Sequence, residues 1–189
     1  MFAAFVAPNR RGDAWFSVGL ASSFPNITES GSETVADARP CGGGTRKEGD
    51  EQSAAPGCKV FQVPKDDSSL AGQVGPSDVE EAAFTAQDLK DQVLVFQYKG
   101  KFHAINNQCP HSSFPLSNGT PFDIEDFGIV LSAGISCPKH GWSFDLFSGQ
   151  GDRGTYRLKL WEIQTRPVAG APADDEEREI WVRRKQRMG

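Results

Sequence analysis

The sequence predicts a small all-β domain of the sandwich or barrel type. Apolar and polar residues alternate along several stretches of strand length, and turn residues separate these stretches. The chain has 189 residues, of which 38% are hydrophobic and 24% charged, enough to bury one core without disulfide bonds. Many short strands joined by turns are typical of sandwiches and barrels.

The N-terminal third holds little predicted structure. Residues 1–13 form a tail, and residues 14–28 mix aromatic and small apolar residues in a pattern that predicts one early strand of the same domain. Residues 29–57 are rich in Gly, Ser, Glu, Asp and Pro and have few large apolar residues. We therefore predict a disordered loop over 29–57.

The next elements follow in quick succession. Residues 58–64 (CKVFQVP) alternate as a half-buried strand does, and residues 80–91 (EEAAFTAQDLKD) predict a short helix. In residues 92–107, two apolar runs flank the sequence YKGK, which predicts a hairpin with glycine in its turn.

The C-terminal part also alternates. Residues 142–149 (WSFDLFSG) and 155–164 (TYRLKLWEIQ) predict strands, and residues 180–182 predict a last one. Gly149, Gly151 and Gly154 spell G-x-G-x-x-G, but a strand pattern follows them, and that fingerprint binds dinucleotides only where a helix follows. We interpret these glycines as turn residues.

Composition restricts the partners. A net charge of −5 argues against nucleic acid, which requires a basic face. The longest apolar runs have strand length, far short of the roughly 20 residues that span a bilayer, so we predict no membrane span. The apolar N-terminus precedes an arginine pair, the reverse of a secretory signal. We predict a cytoplasmic protein, with a mitochondrial location as the alternative.

Two short clusters combine cysteine with histidine. Cys109 is followed by Pro110 and His111, and Cys137 is followed three residues later by His140. The two clusters therefore read C-x-H and C-x-x-H, and 25 residues separate them. The chain has only three histidines and four cysteines, so this doubling indicates a four-ligand metal site. The third histidine, His103, lies inside a strand pattern and is expected to be structural.

Zinc is one candidate for this ligand set. Zinc fingers, however, pair cysteine with cysteine and histidine with histidine, whereas each cluster here holds one of each. A bridged [2Fe-2S] cluster fits better, because each loop can give a cysteine to one iron and a histidine to the other. The remaining cysteines, Cys41 and Cys58, are not expected to be ligands.

The sequences CPH at 109–111 and CPKHGW at 137–142 resemble the motif of the Rieske iron-sulfur family. The resemblance implies a Rieske-type fold over residues 58–187, made of small antiparallel sheets with two cluster-binding loops. It also implies a [2Fe-2S] cofactor, with Cys109 and Cys137 on the inner iron and His111 and His140 on the outer iron.

The interval between the two motifs is longer than is usual in that family. Residues 120–134 contain the insertion, and we expect its apolar residues Phe122, Phe127 and Ile129 to be packing residues. High-potential family members carry a loop disulfide and serine and tyrosine donors to the sulfurs. The corresponding residues here cannot fill those roles, which favours a lower-potential cluster; they are Phe114, Lys139, Trp142 and Phe144.

The resemblance implies reversible one-electron transfer, since histidine ligation leaves the oxidised cluster neutral and raises its potential into a range of about −150 to +300 mV. A Rieske oxygenase needs a second iron held by two histidines and a carboxylate, and His103 alone is spare. We therefore predict a ferredoxin that passes electrons from a flavoprotein reductase to an oxygenase or another acceptor. The alternatives are a small subunit of a reductase complex, such as nitrite reductase, and a zinc- or cluster-stabilised interaction or redox-sensing module.

Overall fold

A computed structural model describes residues 11–31, 33–36, 57–75, 88–170 and 176–185. Within these ranges the secondary structure consists of strands and short 3-10 turns, which confirms the all-β prediction. The strands are β1 (Phe16–Leu20), β2 (Asn26–Ile27), β3 (Cys58–Gln62), β4 (Gly72–Val74), β5 (Gln92–Tyr98), β6 (Lys101–Asn106), β7 (Thr120–Asp126), β8 (Ile129–Cys137), β9 (Trp142–Asp145), β10 (Trp161–Pro167) and β11 (Arg178–Arg184).

The strands form three sheets. In the first, β11 lies between β1 and β10 and is antiparallel to both. In the second, β5 pairs with β3 and β6, while β4 extends β3 and the short β2 runs parallel to the end of β5. In the third, β8 lies between β7 and β9. The early strand predicted within residues 14–28 is thus β1, in register with β11 near the other end of the chain.

Strand β5 is the centre of the fold because both of its faces are buried. Leu94 and Phe96 belong to an apolar cluster shared with the third sheet. Val93 and Val95 belong to a second cluster, shared with the β1–β11–β10 sheet. Alternation of side chains along a strand places these two sets on opposite faces. A continuous apolar run therefore suits β5, since neither face meets water.

Two tight hairpins contain turns of the same type. Lys99 and Gly100 connect β5 to β6 and have φ values of 47° and 77°. Phe127 and Gly128 connect β7 to β8 with φ values of 48° and 77°. Two consecutive positive φ values are the mark of a type I′ turn, which matches the twist of paired strands. The first hairpin was predicted at this position.

Several predictions require correction or lie partly outside the described ranges. The strand predicted over 155–164 begins only at Trp161, because the preceding residues form isolated bridges, with Arg157 opposite Gln150 and Leu160 opposite Ile105. Of the helix predicted over 80–91, the described part is a 3-10 turn, Asp88–Asp91; the remainder lies outside the described residues.

Part of the loop predicted to be disordered over 29–57 has defined contacts. Val35 is fully buried, and its N–H donates to the carbonyl oxygen of Gly119 at 2.8 Å, while Ala36 N–H donates to Ser117 O at 3.0 Å. This short piece packs beside the start of β7. Cys41 and residues 37–56 as a whole lie outside the described residues, so the prediction of disorder there stays a prediction.

The prediction that Phe127 and Ile129 are packing residues is wrong. Phe127 is 98% exposed at the tip of the β7–β8 hairpin, and Ile129 is 65% exposed. The hairpin extends beyond the sheet that would cover them, since β9 pairs only with the last four residues of β8. Phe122 is half-buried, and its ring lies against Gly134, where an added Cβ would approach it to 2.5 Å.

In the described part of the chain, no helix is long and apolar enough to cross a membrane.

His103 is a structural residue of this core. It lies on β6 opposite Phe96, and its ring is 5.5 Å from the ring of Phe96 and 5.3 Å from that of Phe147. Burial, assisted by the charge of Lys101, lowers its pKa from 6.5 to about 4. The imidazole is therefore neutral in the folded protein at pH 7.

This shift predicts acid sensitivity. Because the unfolded chain binds a proton at His103 near pH 6.5 and the folded chain only near pH 4, the stability from the neutral imidazole is present above pH 6.5 and is lost as the pH falls toward 4. Between pH 7 and pH 5 the free energy of unfolding should fall by on the order of 1–2 kcal/mol from this group. His103→Phe keeps a ring in place and removes that part of the pH dependence, which urea unfolding at both pH values measures. Equal slopes in the variant and the parent would contradict the prediction.

Candidate iron-sulfur site

The four predicted donors lie on two loops with the same backbone design. In the first loop the N–H of Ser113 donates to the carbonyl oxygen of Cys109, and in the second the N–H of Gly141 donates to that of Cys137, each at 2.9 Å. Both loops close with a residue of positive φ, 53° at Ser113 and 67° at Gly141. Each loop is therefore a single turn that begins at a cysteine, which explains the glycine after His140.

The strands fix where each loop begins. The first follows β6, and Asn107, fully buried, holds its base. The Asn107 amide donates to the side chain of Gln92 at 3.0 Å, while its oxygen accepts from the N–H of Ser117 at 2.8 Å. The second loop joins β8 to β9, with Cys137 as the last residue of β8 and paired with Trp142. Paired backbone on both sides limits the movement of each loop.

The two cysteines meet inside the protein. Cys109 and Cys137 are both 0% exposed and pack within the apolar cluster that includes Ile135 and Phe144. Their side chains hydrogen-bond to each other, and this bond lowers the pKa of Cys109. The same bond, together with burial, raises the pKa of Cys137. The contact therefore favours the thiolate form of Cys109 over that of Cys137.

Further hydrogen bonds point at the sulfur atoms. Backbone N–H groups of Ser112 and His111 donate to Cys109, and that of Lys139 donates to Cys137. The Ser112 hydroxyl also reaches both sulfurs, lying 3.8 Å from Cys137 Sγ. Such donors stabilise negative charge on sulfur. Ser112 is not among the site residues predicted from the sequence, because its contact with Cys137 joins residues 25 positions apart.

The histidines form an outer pair. The rings of His111 and His140 are 5.1 Å apart; His140 is exposed, and His111 is half-buried. Trp142 stacks on His111 with ring centroids 4.4 Å apart and an angle of 20°. The second loop therefore orients the histidine of the first. Nδ1 of His111 is buried and has no hydrogen-bond partner within the described ranges.

A set of glycine turns supports Trp142 from behind. Gly154, with φ of 64°, leaves room for the indole, since an added Cβ would lie 3.1 Å from it. Arg153 lies 5.2 Å from the Trp142 ring and donates to the carbonyl oxygen of Gly141 at 3.0 Å. Tyr156 contacts both His111 and Trp142 edge-on. Of the glycines in the G-x-G-x-x-G pattern, Gly149 and Gly154 have the positive φ values typical of turns, whereas Gly151 forms an isolated bridge with Phe144.

A cation–π contact links the two loops. Lys139 Nζ lies 5.9 Å from the ring centroid of Phe114. Both residues occupy positions that, by the family resemblance, carry different chemistry in high-potential members. Here the pair is held by a weak, partly exposed contact.

The four donors have the chemistry that an iron-sulfur cluster needs. They come as two pairs, thiols inside and imidazoles outside, and among the described residues no three His, Cys, Asp or Glu side chains converge as a single-ion site requires. The buried, unpartnered His111 Nδ1 leaves one nitrogen available for a bond to metal. Two cysteines and two histidines are the ligand set of Rieske centres.

The family described as the Rieske [2Fe-2S] domain matches residues 72–160, a range that includes both loops. The chain contains a Rieske domain. It therefore binds a [2Fe-2S] cluster, and the family resemblance seen in the sequence is confirmed. The matched range includes the whole third sheet and strands β4, β5 and β6 of the second.

Several curated relatives match part of the chain. A 4beta-methylsterol monooxygenase of Methylococcus capsulatus is 31% identical over 52% of this chain and 25% of its own length. The ferredoxin component of an alkene monooxygenase system from Xanthobacter autotrophicus is 33% identical over 32% of this chain and 43% of its own. The ferredoxin subunit of a 3-phenylpropionate/cinnamic acid dioxygenase from Escherichia coli is 32% identical over 39% of this chain and 62% of its own. The chain thus spans between a quarter and 62% of these relatives.

Proposed function

We propose that this chain is a one-electron carrier that takes electrons from a flavoprotein reductase and passes them to an oxygenase or another oxidoreductase. One observation carries the proposal: the loops place the cysteines in the core and His140 in solvent, 5.1 Å from His111. Likeness to two ferredoxin components adds support. The bound cluster supplies reversible one-electron chemistry.

We propose Cys109, Cys137, His111 and His140 as the cluster ligands. The buried cysteines suit the inner iron and the imidazoles the outer one, and Nδ1 of His111 suits a bond to metal because it has no hydrogen-bond partner within the described ranges. The chain then keeps water from the sulfurs through Ile135 and its apolar neighbours and orients His111 through Trp142.

The proposed domain extends beyond residues 72–160. Support comes from β1, β3 and β11, which lie outside that range and pair with one another or with β5. We assign residues 14–28 and 58–187 to one Rieske domain and residues 1–13 to a tail. We also propose a cytoplasmic location, where thiols such as those of Cys109 and Cys137 stay reduced.

The carrier function can be tested by reconstitution. The cluster-loaded protein is used to capture its redox partners, and the reduced chain is then mixed with the captured acceptor while the cluster absorbance is followed. We expect rapid reoxidation of the cluster, with catalytic rereduction by a captured flavoprotein. A partner that binds stably but exchanges no electrons would instead indicate an interaction module.

Ligand variants test the assignment of the site. His111→Cys and His140→Cys replace a neutral ligand by a thiolate, so the cluster should be lost or its potential should fall. Iron content, the reduced-state EPR signal and the potential measure this. Cys41→Ser and Cys58→Ala serve as controls and should keep cluster and potential; loss of the cluster in these controls would show that the ligands were chosen wrongly.

Ser112 should tune the potential. Its hydroxyl lies near both sulfurs, and a hydrogen bond to sulfur stabilises the more negative, reduced form. Ser112→Ala removes a bond worth roughly 0.5–1.5 kcal/mol, which corresponds to a fall of roughly 20–65 mV in the one-electron potential. Protein-film voltammetry measures this shift. Ser113→Ala, on the neighbouring hydroxyl, is the control, and an equal shift in both variants would contradict a specific role for Ser112.

A further inference from the structure

A groove runs between the β5–β6 hairpin and the outer part of β8. Its cavity has a volume of about 510 Å³. The lining includes the apolar side chains of Val130, Leu131 and Phe147, the buried His103, and three charged residues, Lys99, Lys101 and Asp123. This volume lies within the range of small-molecule sites, about 300–1,000 Å³. None of these residues belongs to the two Cys/His loops.

The apolar side of the groove is unusually exposed. Val130 is 53%, Leu131 65% and Phe147 50% exposed. Residues 129–133 of β8 pair with β7 but extend beyond β9, which begins its pairing at Gly134. Contiguous exposed apolar side chains of this kind mark binding surfaces more often than isolated ones do.

The groove carries one uncompensated positive charge. Lys101 is exposed, its Nζ lies 5.2 Å from the Phe147 ring centroid, and among the described residues it makes no salt bridge. The neighbouring Lys99 differs, because it pairs with Asp123, which also accepts a hydrogen bond from Tyr98 at 3.0 Å.

The base of the groove is uncharged. His103 is buried between the rings of Phe96 and Phe147, and burial keeps it neutral at pH 7. The groove thus combines an apolar wall, a neutral imidazole, the Lys99–Asp123 ion pair and the ammonium group of Lys101, which has no carboxylate partner among the described residues. A ligand that matches this arrangement has an apolar body and one negative end.

We propose that this groove binds a small amphipathic monocarboxylate, with its apolar body against Val130, Leu131 and Phe147 and its carboxylate paired with Lys101. Burial of the apolar chain supplies most of the affinity, and the charge-assisted bond to Lys101 fixes the orientation and selects anions. The site makes no use of the cluster, so it is independent of the carrier function.

Calorimetric titration of the cluster-loaded full chain with decanoate, below its micelle concentration, tests the proposal. We expect saturable binding of one decanoate per chain and at least about tenfold weaker binding of decyltrimethylammonium, which has the same tail and the opposite charge. Lys101→Glu and Leu131→Asp should each weaken decanoate binding by about tenfold or more. The matched controls are Lys159→Glu, an exposed lysine in a separate depression, and Leu70→Asp, which is 70% exposed elsewhere; both should bind as the parent does.

Several results would overturn the proposal. These are no saturable binding of decanoate, equal binding of the cationic analogue, or undiminished binding by Lys101→Glu. Sedimentation of the same samples tests whether a second copy of the chain occupies the groove. A parent protein that is a dimer and that Leu131→Asp converts to a monomer would assign this face to a dimer interface.

Discussion

The contact between Cys109 and Cys137 inside the apolar core is the constraint on which the site depends. Two polarisable sulfur atoms at zero exposure need donors around them, because buried negative charge without hydrogen bonds is costly. The loops meet this need with backbone N–H groups, and they can do so only because each is one turn that begins at its cysteine. The sheets hold these two turns next to each other. The hydrogen bond between Asn107 and Gln92 positions the first turn, and the pairing of β8 with β9 positions the second.

The four side chains of the site become more exposed to solvent from the cysteines to the histidines. The cysteines lie among Ile135 and Phe144, His111 is half-buried under Trp142, and His140 faces solvent. Aromatic stacking is worth about 0.5–1.5 kcal/mol beyond the area it buries, enough to bias a ring orientation but too little to hold a loop alone. The Gly149–Gly154 turn therefore matters, since Gly154 admits the indole and Arg153 ties the turn to Gly141. The stretch Gly149–Gly154, which has the spacing of a dinucleotide-binding motif, instead supports Trp142 and, through it, the His111 ring.

Sequence patterns gave correct predictions for features that depend on interactions between neighbouring residues. The glycine turn after β5 and the strand at β3 both concern residues that are neighbours in the chain, and these two predictions agree with the structure. Contacts between distant residues were not predictable in this way. The stack of Trp142 on His111 joins residues 31 positions apart, and Ser112 is one serine among many until the fold brings Cys137 to it. The strand predicted over residues 155–160 is absent for the same reason. Alternation predicts burial on one face, but it does not show whether a partner strand is present.

The β7–β8 hairpin explains how the long interval between the motifs is accommodated. At its inner end, Gly134 to Cys137 pair with β9 and deliver the second loop, while Phe122 covers Gly134. Tyr98 and Lys99 hold its middle through Asp123. Beyond these contacts Phe127 and Ile129 reach solvent, so the outer part of the hairpin extends away from the ligand loops instead of separating them. A hairpin anchored at one end can lengthen at the other without changing the geometry at Cys137, which leaves its outer strand available for a different use.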